Sequence, residues 1–529
     1  MKEIDLTALG MLSSSTKAVL NKETRLTDLI GEQHGFLNLD QAISGKANFP
    51  IEKRQDLVKV LKTDYKKYGI HEHALINANI DALLDPNTYT VTTGQQLHLF
   101  FGPAFMVYKL ISCIKAADHY QSLYSDKKFV PVFWLASEDH DFDEIKKTPL
   151  FGSQYIWETN QTGACGRFHL NDIDSVLNPL KEKLSNDSKA MAVLETFSKI
   201  YKTSKSLSEA TIKLTHQLFA DYGLLCLDAD NPLLKAHFRT ILKAELLENK
   251  SEASFNAFSQ KLSDSQLSLQ LKSRPINLFY LKGNVRARIE KDGEIYKVVD
   301  TKLQFTKEEV LAEIETHPEN FSPNAVLRPL YQECILPNIA YIGGNAEINY
   351  WLQLTDVFKL YNTETPNLVL RQSVWMLKQK QFEWLAEKQI QIEQLFNLKS
   401  EKDKLNLFSN SNNGEEMETY LIQFLAIRDQ IQQYANSEKL PNMKTLIEGG
   451  KAFEKTLKEV QKSEIQAKAE KNERNLNKLE QIQNDGFSLQ NIQERTTYSL
   501  TFLINNANFV NNCFLSIYFK PGCGFFLNN

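Results

Sequence analysis

The stretch TYTVTTGQQLHLFFGP, residues 88–103, decides the fold class, because a short apolar run ends there in a glycine turn and a helical pattern follows. Further apolar runs end in the same way in polar or turn residues; they are Phe129–Leu135, Leu224–Leu227, Asn338–Ile342 and Leu368–Leu370. Runs this short are typical of strands covered on both faces. Helical patterns such as Pro103–Ala117 and Ala346–Leu360 lie between them. This alternation predicts an α/β fold with a parallel, doubly wound sheet.

The composition excludes several classes of protein. The chain has 529 residues, 42% hydrophobic and 24% charged, which suits a globular protein of several domains. Its formal net charge of -4 provides no basic field for nucleic acid or an anionic membrane, so we expect neither as a partner. No signal peptide and no membrane helix are expected. The six cysteines are scattered without a CxxC pair, which favours free thiols and a cytoplasmic location.

Two interruptions and a change of pattern suggest the domain organisation. Residues 277–322 alternate short apolar runs with Lys-Gly-Asn and Lys-Asp-Gly turns, typical of a β-meander. Tyr420, Phe424, Ile427, Ile431 and Tyr434 follow a 4-3-4-3 spacing, which predicts a coiled coil. We therefore expect N-terminal helices and the first half of the core in 1–150, a mostly helical insertion in 151–215, core in 216–276, the meander insertion in 277–322, the last part of the core in 323–377, the helical coiled coil in 378–500 and a tail packing on the core in 501–529.

Glycine turns at the predicted strand ends are candidate binding elements. Gly94 and Gly102 flank the start of the first helix, and Gly343 and Gly344 open a later one. Backbone N–H groups at such helix starts can face an anion, as in cofactor sites. Gln95 and Gln96 are neutral hydrogen-bonding groups suited to a polar ligand. The alternative is an ordinary strand–helix turn, since neither nucleotide-binding glycine fingerprint is present.

An acidic cluster follows the second predicted strand in FWLASEDHDFDE, residues 133–144. Clustered carboxylates usually need a cation, a proton or a substrate amine, so Glu138, Asp139 and Asp141 are candidate ligands of Mg²⁺ or of an amine. His140 lies between two aspartates and is a candidate general base. A solvated acidic loop is the alternative. No second His or Cys lies at zinc-ligand spacing, so we predict no structural metal site.

The third candidate group lies around the fourth and fifth predicted strands. Arg328 and Arg371 can clamp a carboxylate or phosphate through paired hydrogen bonds. Glu347 would hold a substrate amine or hydroxyl, and Gln332, on the helix or turn that follows Arg328, is a candidate substrate-binding residue. The alternatives are a helix-capping role for Glu347 and a domain-interface ion pair for Arg328. Cys334 lies in an apolar run without a neighbouring His, so we interpret it as a core residue rather than a nucleophile.

These motifs resemble those of one known family. The blocks TGQQ…FFGPAFMVYK, WLASEDHDFDEI, GACGRF, GLLCLDADNPLLK, INLFYLKGNVRARI, FSPNAVLRPLYQECILPNIAYIGGNAEINYW, LVLRQS and LQNIQER occur in the order expected of the BshC cysteine ligases of bacillithiol biosynthesis, in particular those of Bacteroidota. The resemblance covers about Thr88 to Arg495. It implies a Rossmann-like core similar to that of class I aminoacyl-tRNA synthetases, two insertions, and a C-terminal coiled coil that forms a homodimer.

The resemblance also implies a reaction. The family joins L-cysteine to glucosaminyl-malate in the last step of bacillithiol biosynthesis, and nucleotide binding is associated with it. The expected cofactor is ATP or ADP, with Mg²⁺ as a companion ion. On this hypothesis His140, oriented by Asp139 or Asp141, is the base, and Lys109 and Arg328 neutralise phosphate or a developing oxyanion. Glu138, Gln95, Gln96, Gln332, Glu347 and Arg371 position the substrates.

Two other functions compete with this hypothesis. The Glu138–Asp143 cluster would suit a metal-dependent hydrolase or deacetylase. The heptads would suit a dimeric coiled-coil scaffold without enzymatic activity. A fold of this class does not by itself choose among them.

Overall fold

A computed structural model describes residues 2–398, 400–408, 415–441 and 443–528. The predicted spans 1–150, 378–500 and 501–529 each include residues outside this set. The strands are β1 (Lys2–Asp5), β2 (Thr88–Gln95), β3 (Lys128–Leu135), β4 (Lys147–Leu150), β5 (Ser153–Ile156), β6 (Leu225–Asp228), β7 (Leu278–Lys282), β8 (Val285–Asp292), β9 (Ile295–Val298), β10 (Gln304–Phe305), β11 (Phe321–Pro323), β12 (Asn338–Gly343), β13 (Asn367–Leu370), β14 (Ser373–Leu377) and β15 (Cys523–Asn528).

The helices up to the last strand of the central sheet are α1 (Ser14–Asn21), α2 (Thr24–Ile30), α3 (Leu39–Lys46), α4 (Ile51–Lys67), α5 (Ala74–Ala82), α6 (Phe105–Leu123), α7 (Phe142–Ile145), α8 (Asp174–Leu184), α9 (Ser188–Thr203), α10 (Leu207–Phe219), α11 (Pro232–Ala236), α12 (Arg239–Glu248), α13 (Lys250–Asp264), α14 (Lys307–Thr316), α15 (Arg328–Ile335), α16 (Asn345–Gln353) and α17 (Thr355–Leu360). The later helices are α18 (Gln379–Glu387), α19 (Ile392–Asn397), α20 (Glu401–Asn406), α21 (Glu415–Ser437), α22 (Met443–Asn484), α23 (Gln493–Thr496), α24 (Ser499–Asn505) and α25 (Phe509–Ser516).

The predicted parallel α/β sheet is confirmed. Five strands pair in the order β13-β12-β2-β3-β6, and every pairing in this sheet is parallel. In chain order the strands read 3-2-1-4-5 across the sheet, the order of a Rossmann-like half. The chain first builds outward from β2 to β6 and then returns to the other side of β2 with β12. The direction therefore reverses between β2 and β12, where open α/β sheets bind ligands.

Burial on both faces explains the continuous apolar runs. The side chains of β12 are all buried, and β2 is buried except at its last two residues. Helix α6 covers β2 and β3, and its Cys113, Ala116 and Ala117 join Val91 in one apolar cluster. The less buried end of β2 is thus the end that carries Gly94, so the packing leaves the carboxyl edge partly accessible.

The remaining strands form smaller antiparallel arrangements. A hairpin of β4 and β5 follows the acidic loop, and β10-β9-β8-β7-β11 form a five-stranded sheet. Near the termini, β1 pairs with β15, with Lys2 opposite Phe526. Of the described residues, those in 2–374 and 494–527 form one compact unit, and those in 375–493 form a second together with Asn528. Within the second unit α21 and α22 pack together, with the rings of Phe424 and Phe453 4.8 Å apart between centroids.

Two predicted helices have different bounds. The helix predicted from Pro103 begins at Phe105, because Pro103 pairs with Tyr498 in an isolated antiparallel bridge. The helix predicted over 346–360 is divided into α16 and α17 at Leu354. There the Thr355 hydroxyl donates to the Leu352 carbonyl at 2.8 Å, a local bond that competes with the regular helix.

Two sequence-based expectations concern the whole chain. The cysteines are free, as predicted, and five of the six are buried. Among the described residues, no helix combines the length and apolarity that a membrane crossing requires.

Candidate active site

A cavity opens where the strand direction reverses. It has a volume of about 660 Å³ and is lined by Gly94 at the end of β2, Trp134 of β3 and Tyr341 of β12. Gly344 and Glu347, at the start of α16, complete this side. The carboxyl ends of parallel strands meet at one edge, which brings these residues together although they are distant in sequence.

An ion pair between Lys109 and Glu347 connects two sides of this edge. Lys109 is buried on α6, and its Nζ lies 2.6 Å from a carboxylate oxygen of Glu347. The ammonium also donates to the Gly94 carbonyl at 2.5 Å and to Gln95 Oε1 at 3.3 Å. Protein acceptors therefore match all three N–H donors of Lys109. In this structure Lys109 holds the end of β2 against α16.

Glu347 also caps its own helix. The Gly344 N–H donates to Glu347 Oε2 at 2.8 Å, and the Tyr341 hydroxyl donates to Oε1 at 2.7 Å. Burial alone would raise the pKa of Glu347, but Lys109 and these hydrogen bonds outweigh it and the pKa is lowered. The anion at this helix start is thus a side chain of the protein itself.

A second ion pair joins distant parts of the first unit. Arg371, directly after β13, donates to both carboxylate oxygens of Glu494, at 2.6 and 2.9 Å. The Ser373 hydroxyl donates to the same carboxylate at 3.3 Å. Both partners of the ion pair are almost fully buried. Arg371 lines the cavity, but its charge is already neutralised.

Asp139 is the member of the acidic cluster with the clearest position on the cavity wall. Its Oδ1 accepts from the backbone N–H groups of His140 and Asp141, at 2.8 and 3.2 Å. Its Oδ2 accepts one long bond from Gln96, at 3.3 Å. Burial would raise the pKa of Asp139, but His140 and the positive charges of Arg328 and Arg286 hold it well below the ordinary value. Asp139 is therefore a carboxylate with accepting capacity left at the cavity.

The other acidic residues of the loop diverge. Glu138 turns away and pairs with the buried Lys235, and burial raises its pKa in spite of that partner. Asp143 is exposed and pairs with Lys146 at 2.5 Å, while Glu144 lines the cavity. Among the described residues, no group of three or more His, Cys, Asp or Glu side chains is arranged to hold a metal ion. Proximity in sequence did not bring these carboxylates to one point.

His140 takes part in a contact that affects its predicted role. Arg286 Nη1 donates to His140 Nδ1 at 2.7 Å, since a guanidinium can only donate. The neutral imidazole then carries its proton on Nε2. In this arrangement neither ring nitrogen has a free lone pair, so His140 can accept a proton only after the bond to Arg286 is released. Asp141 is exposed next to it.

The remaining predicted residues differ in their surroundings. Gln95, Gln96 and Gln332 line the cavity, although Gln332 also donates to Glu333 at 3.2 Å. Gly102 instead lies against His98: a Cβ at Gly102 would stand 2.5 Å from that of His98, and its φ of +52° suits glycine. Gly343 similarly lies against the side chain of Glu347, where a Cβ would approach to 3.1 Å.

Arg328, at the start of α15, is the half-buried guanidinium of the cavity. Burial would lower the pKa of Arg328, but Tyr350 and Asp139 outweigh it and the pKa is raised. In the described part of the chain, its guanidinium forms no ion pair with a carboxylate. Its charge is therefore available to a ligand.

Several lining residues were missed by the sequence analysis; they are His98, Phe105, Glu144, Lys147 and Arg495. His98 is buried, which lowers its pKa to about 4, so its imidazole is neutral at pH 7. Glu144 belongs to the quoted acidic run but was not singled out as a site residue, and Lys147 lies shortly after that run. Arg495 follows the long helical region, and its only sequence signal was its place in the LQNIQER block.

Comparisons with known proteins identify the family to which this chain belongs. The model of the family "Bacillithiol biosynthesis BshC, N-terminal Rossmann-like domain" matches residues 2–372. A protein of Cytophaga hutchinsonii named "Putative cysteine ligase BshC" is 35% identical over 492 residues, covering 90% of this chain and 89% of that protein. Relatives with the same name from Christiangramia forsetii and Flavobacterium johnsoniae are 34% and 37% identical, covering 92% and 70% of this chain and the same shares of their own lengths. The chain belongs to the BshC family.

Proposed function

We propose that this protein joins L-cysteine to glucosaminyl-malate through an amide bond, as the last step of bacillithiol biosynthesis. The observation that carries the proposal is that one cavity is lined by groups of opposite charge that can each bind a ligand. Asp139 offers an ionised carboxylate, and Arg328 offers a guanidinium without a carboxylate partner. A cysteine ligase needs both, because cysteine presents an ammonium group and glucosaminyl-malate presents carboxylates. The names of the relatives support the same reaction class.

Asp139 is the proposed site for the ammonium group of cysteine. Oδ1 is fixed by two backbone N–H groups, which orients the side chain, and Oδ2 has acceptor capacity left. A carboxylate with so low a pKa is a poor base at neutral pH, so its role is to bind and orient charge. His140 stays our prediction for the base that removes the proton of the attacking amine, once its bond to Arg286 is released.

A free carboxylate does not acylate an amine at a useful rate, so the reaction needs activation, and ATP would supply it. The polar groups of the cavity fit such a polyanion. Lys147 lines the cavity, has no carboxylate partner in the described part of the chain, and would face the phosphates. Glu144, which also lines the cavity, offers a carboxylate oxygen of the kind with which proteins hold Mg²⁺ on a bound nucleotide.

The direct test is turnover. Purified protein is incubated with cysteine, glucosaminyl-malate and ATP with Mg²⁺, the amide product is followed by mass spectrometry, and the nucleotide product by chromatography. We expect amide formation in equal amount to AMP or ADP release, which also identifies the activation chemistry. Binding of both substrates without product under ATP, GTP or CTP would contradict the proposal.

We also propose that α21 and α22 form a coiled coil that dimerises. Along α21 the side chains of Tyr420, Ile427, Ile431 and Tyr434 are 53, 54, 44 and 63% exposed, so much of the predicted heptad seam is uncovered by the described residues. Phe453 on α22 is also exposed, at 51%. A second copy presenting the same seam would bury these apolar surfaces.

Replacing Ile427 with aspartate should convert the protein from a dimer to a monomer, because an unpaired carboxylate cannot be buried in the seam without a large cost. Light scattering after size exclusion should give one chain mass, 60.7 kDa, instead of twice that mass. The matched control is Gln433→Asp, an exposed position of the same helix outside the seam. A monomeric wild-type protein, or a dimeric I427D variant, would rule out this interface.

A further inference from the structure

The arginine side chains that line the cavity differ in whether they form an ion pair within the protein. Arg371 is neutralised by Glu494 inside the protein. Arg328 and Arg495 also line the cavity, and neither forms an ion pair with a carboxylate among residues 2–398, 400–408, 415–441 and 443–528. Two guanidinium groups without a carboxylate partner among these residues therefore line the same cavity. A guanidinium binds a carboxylate through two parallel hydrogen bonds, so two such groups suit a ligand with two anionic ends.

The position of Arg495 is fixed by its neighbours. The carboxylate of the preceding residue, Glu494, accepts hydrogen bonds from Nη1 and Nη2 of Arg371, and this anchors the chain at this point. The guanidinium of Arg495 lies 5.8 Å from the centroid of the Phe105 ring, and that of Arg371 lies 5.4 Å from the same ring. Arg495 is exposed, and it lines the cavity.

The environment of Arg495 favours an anion. Its pKa is lowered from the ordinary value, first by partial desolvation and then by the like charge of Arg371. The carboxylates of Glu494 and Glu347 offset only part of this effect, and their own ion pairs are with Arg371 and Lys109. A ligand carboxylate would relieve the repulsion between the two guanidinium groups.

We propose that Arg495 and Arg328 bind the two carboxylates of the malyl group of the acceptor substrate, which makes Arg495 a specificity residue for a dicarboxylate. The inference rests on the proposed function for the identity of the substrate. It assigns the positive groups to the acceptor and leaves Asp139 to the ammonium of cysteine. The division explains why one cavity contains both a carboxylate with acceptor capacity left, Asp139, and two guanidinium groups without a carboxylate partner in the described part of the chain.

The first test is binding of free L-malate to the full-length protein by calorimetry, with lactate as the probe that lacks the second carboxylate. Arg495→Gln should weaken malate binding by at least about tenfold, the usual effect of losing a charged hydrogen-bonded contact. Arg495→Lys should be intermediate, since it keeps the charge and loses the paired geometry. Arg328→Gln should resemble Arg495→Gln, and Arg474→Gln, on the exposed face of α22, should bind like the wild type.

The second test is the steady-state rate of ligation. Arg495→Gln should raise KM for glucosaminyl-malate at least about tenfold and leave KM for cysteine and for ATP within twofold, with an unchanged thermal unfolding midpoint. A rise in KM for ATP instead, or malate binding equal to that of the wild type, overturns the assignment. Malate binding that depends on Arg495 in a protein without ligase activity would contradict the proposed function alone. Ligase activity unaffected by R495Q would contradict this inference alone.

Discussion

Replacing Asp139 with asparagine should lower kcat/KM for cysteine by about 100-fold or more, while the protein stays folded. Losing one partner of a hydrogen-bonded charge pair in a desolvated site costs about 2–5 kcal/mol. Asparagine keeps an oxygen that can accept the N–H groups of His140 and Asp141, so the loop geometry should persist. The measurement is steady-state turnover at varied cysteine concentration.

The matched control for this variant is Asp143→Asn, an exposed aspartate of the same loop whose partner Lys146 lies at the surface. It should change kcat/KM less than about twofold, since exposed ion pairs contribute little. The charge of Asp139 persists through the neutral range because its pKa is lowered, so its protonation should not produce an acid limb above about pH 5. A folded D139N variant with wild-type turnover would mean that the cysteine ammonium binds elsewhere.

Replacing Lys109 with methionine should lower the free energy of unfolding of the first unit by about 3 kcal/mol. Removing one partner of a buried ion pair leaves an uncompensated charge, which typically costs about 3–5 kcal/mol, and the partly exposed Glu347 places the expected value at the lower end. The control Lys59→Met removes an exposed lysine of α4 and should change stability by less than about 0.5 kcal/mol. Guanidinium unfolding of the three proteins gives the comparison.

A double variant separates the charge from the packing. In Lys109→Met with Glu347→Leu, both charges are absent, and part of the lost stability should return because apolar groups of similar volume often replace a buried pair without loss. The Gly344 N–H would lose its cap, so recovery should be incomplete. If K109M were no less stable than K59M, the ion pair would not support the end of β2.

The strands of the parallel sheet could be predicted from the sequence, because a strand buried on both faces appears as a short continuous apolar run. Each of the five apolar runs is a strand of the parallel sheet, and the strand ends carry Gly94 and Arg371 to one edge. The direction in which each side chain points at those strand ends could not be predicted from the neighbouring residues in the sequence. Glu138 and Asp139 are adjacent in sequence, yet one pairs with Lys235 and the other faces the cavity.

Contacts between residues that are distant in sequence could not be predicted either. Glu347 suggested a ligand or a cap, but its ion pair with Lys109, on a helix more than 200 residues earlier, depends on the sheet order. Arg495 enters the cavity only because the chain returns to the first unit at Glu494 after the helical unit. No local pattern predicts such a return.

The ion pair of Arg371 and Glu494 has a consequence for how the chain can change over time. The chain leaves the first unit after Val374 and re-enters it at Glu494, and the Ser373 hydroxyl already touches that carboxylate. The contacts of Glu494 with Arg371 and Ser373 thus hold together, within the first unit, the two points at which the chain leaves for and returns from the helical unit. Insertions or deletions within the helical unit need not alter the distance between these two points. The length of that unit can therefore change during evolution while Arg495 stays at the cavity.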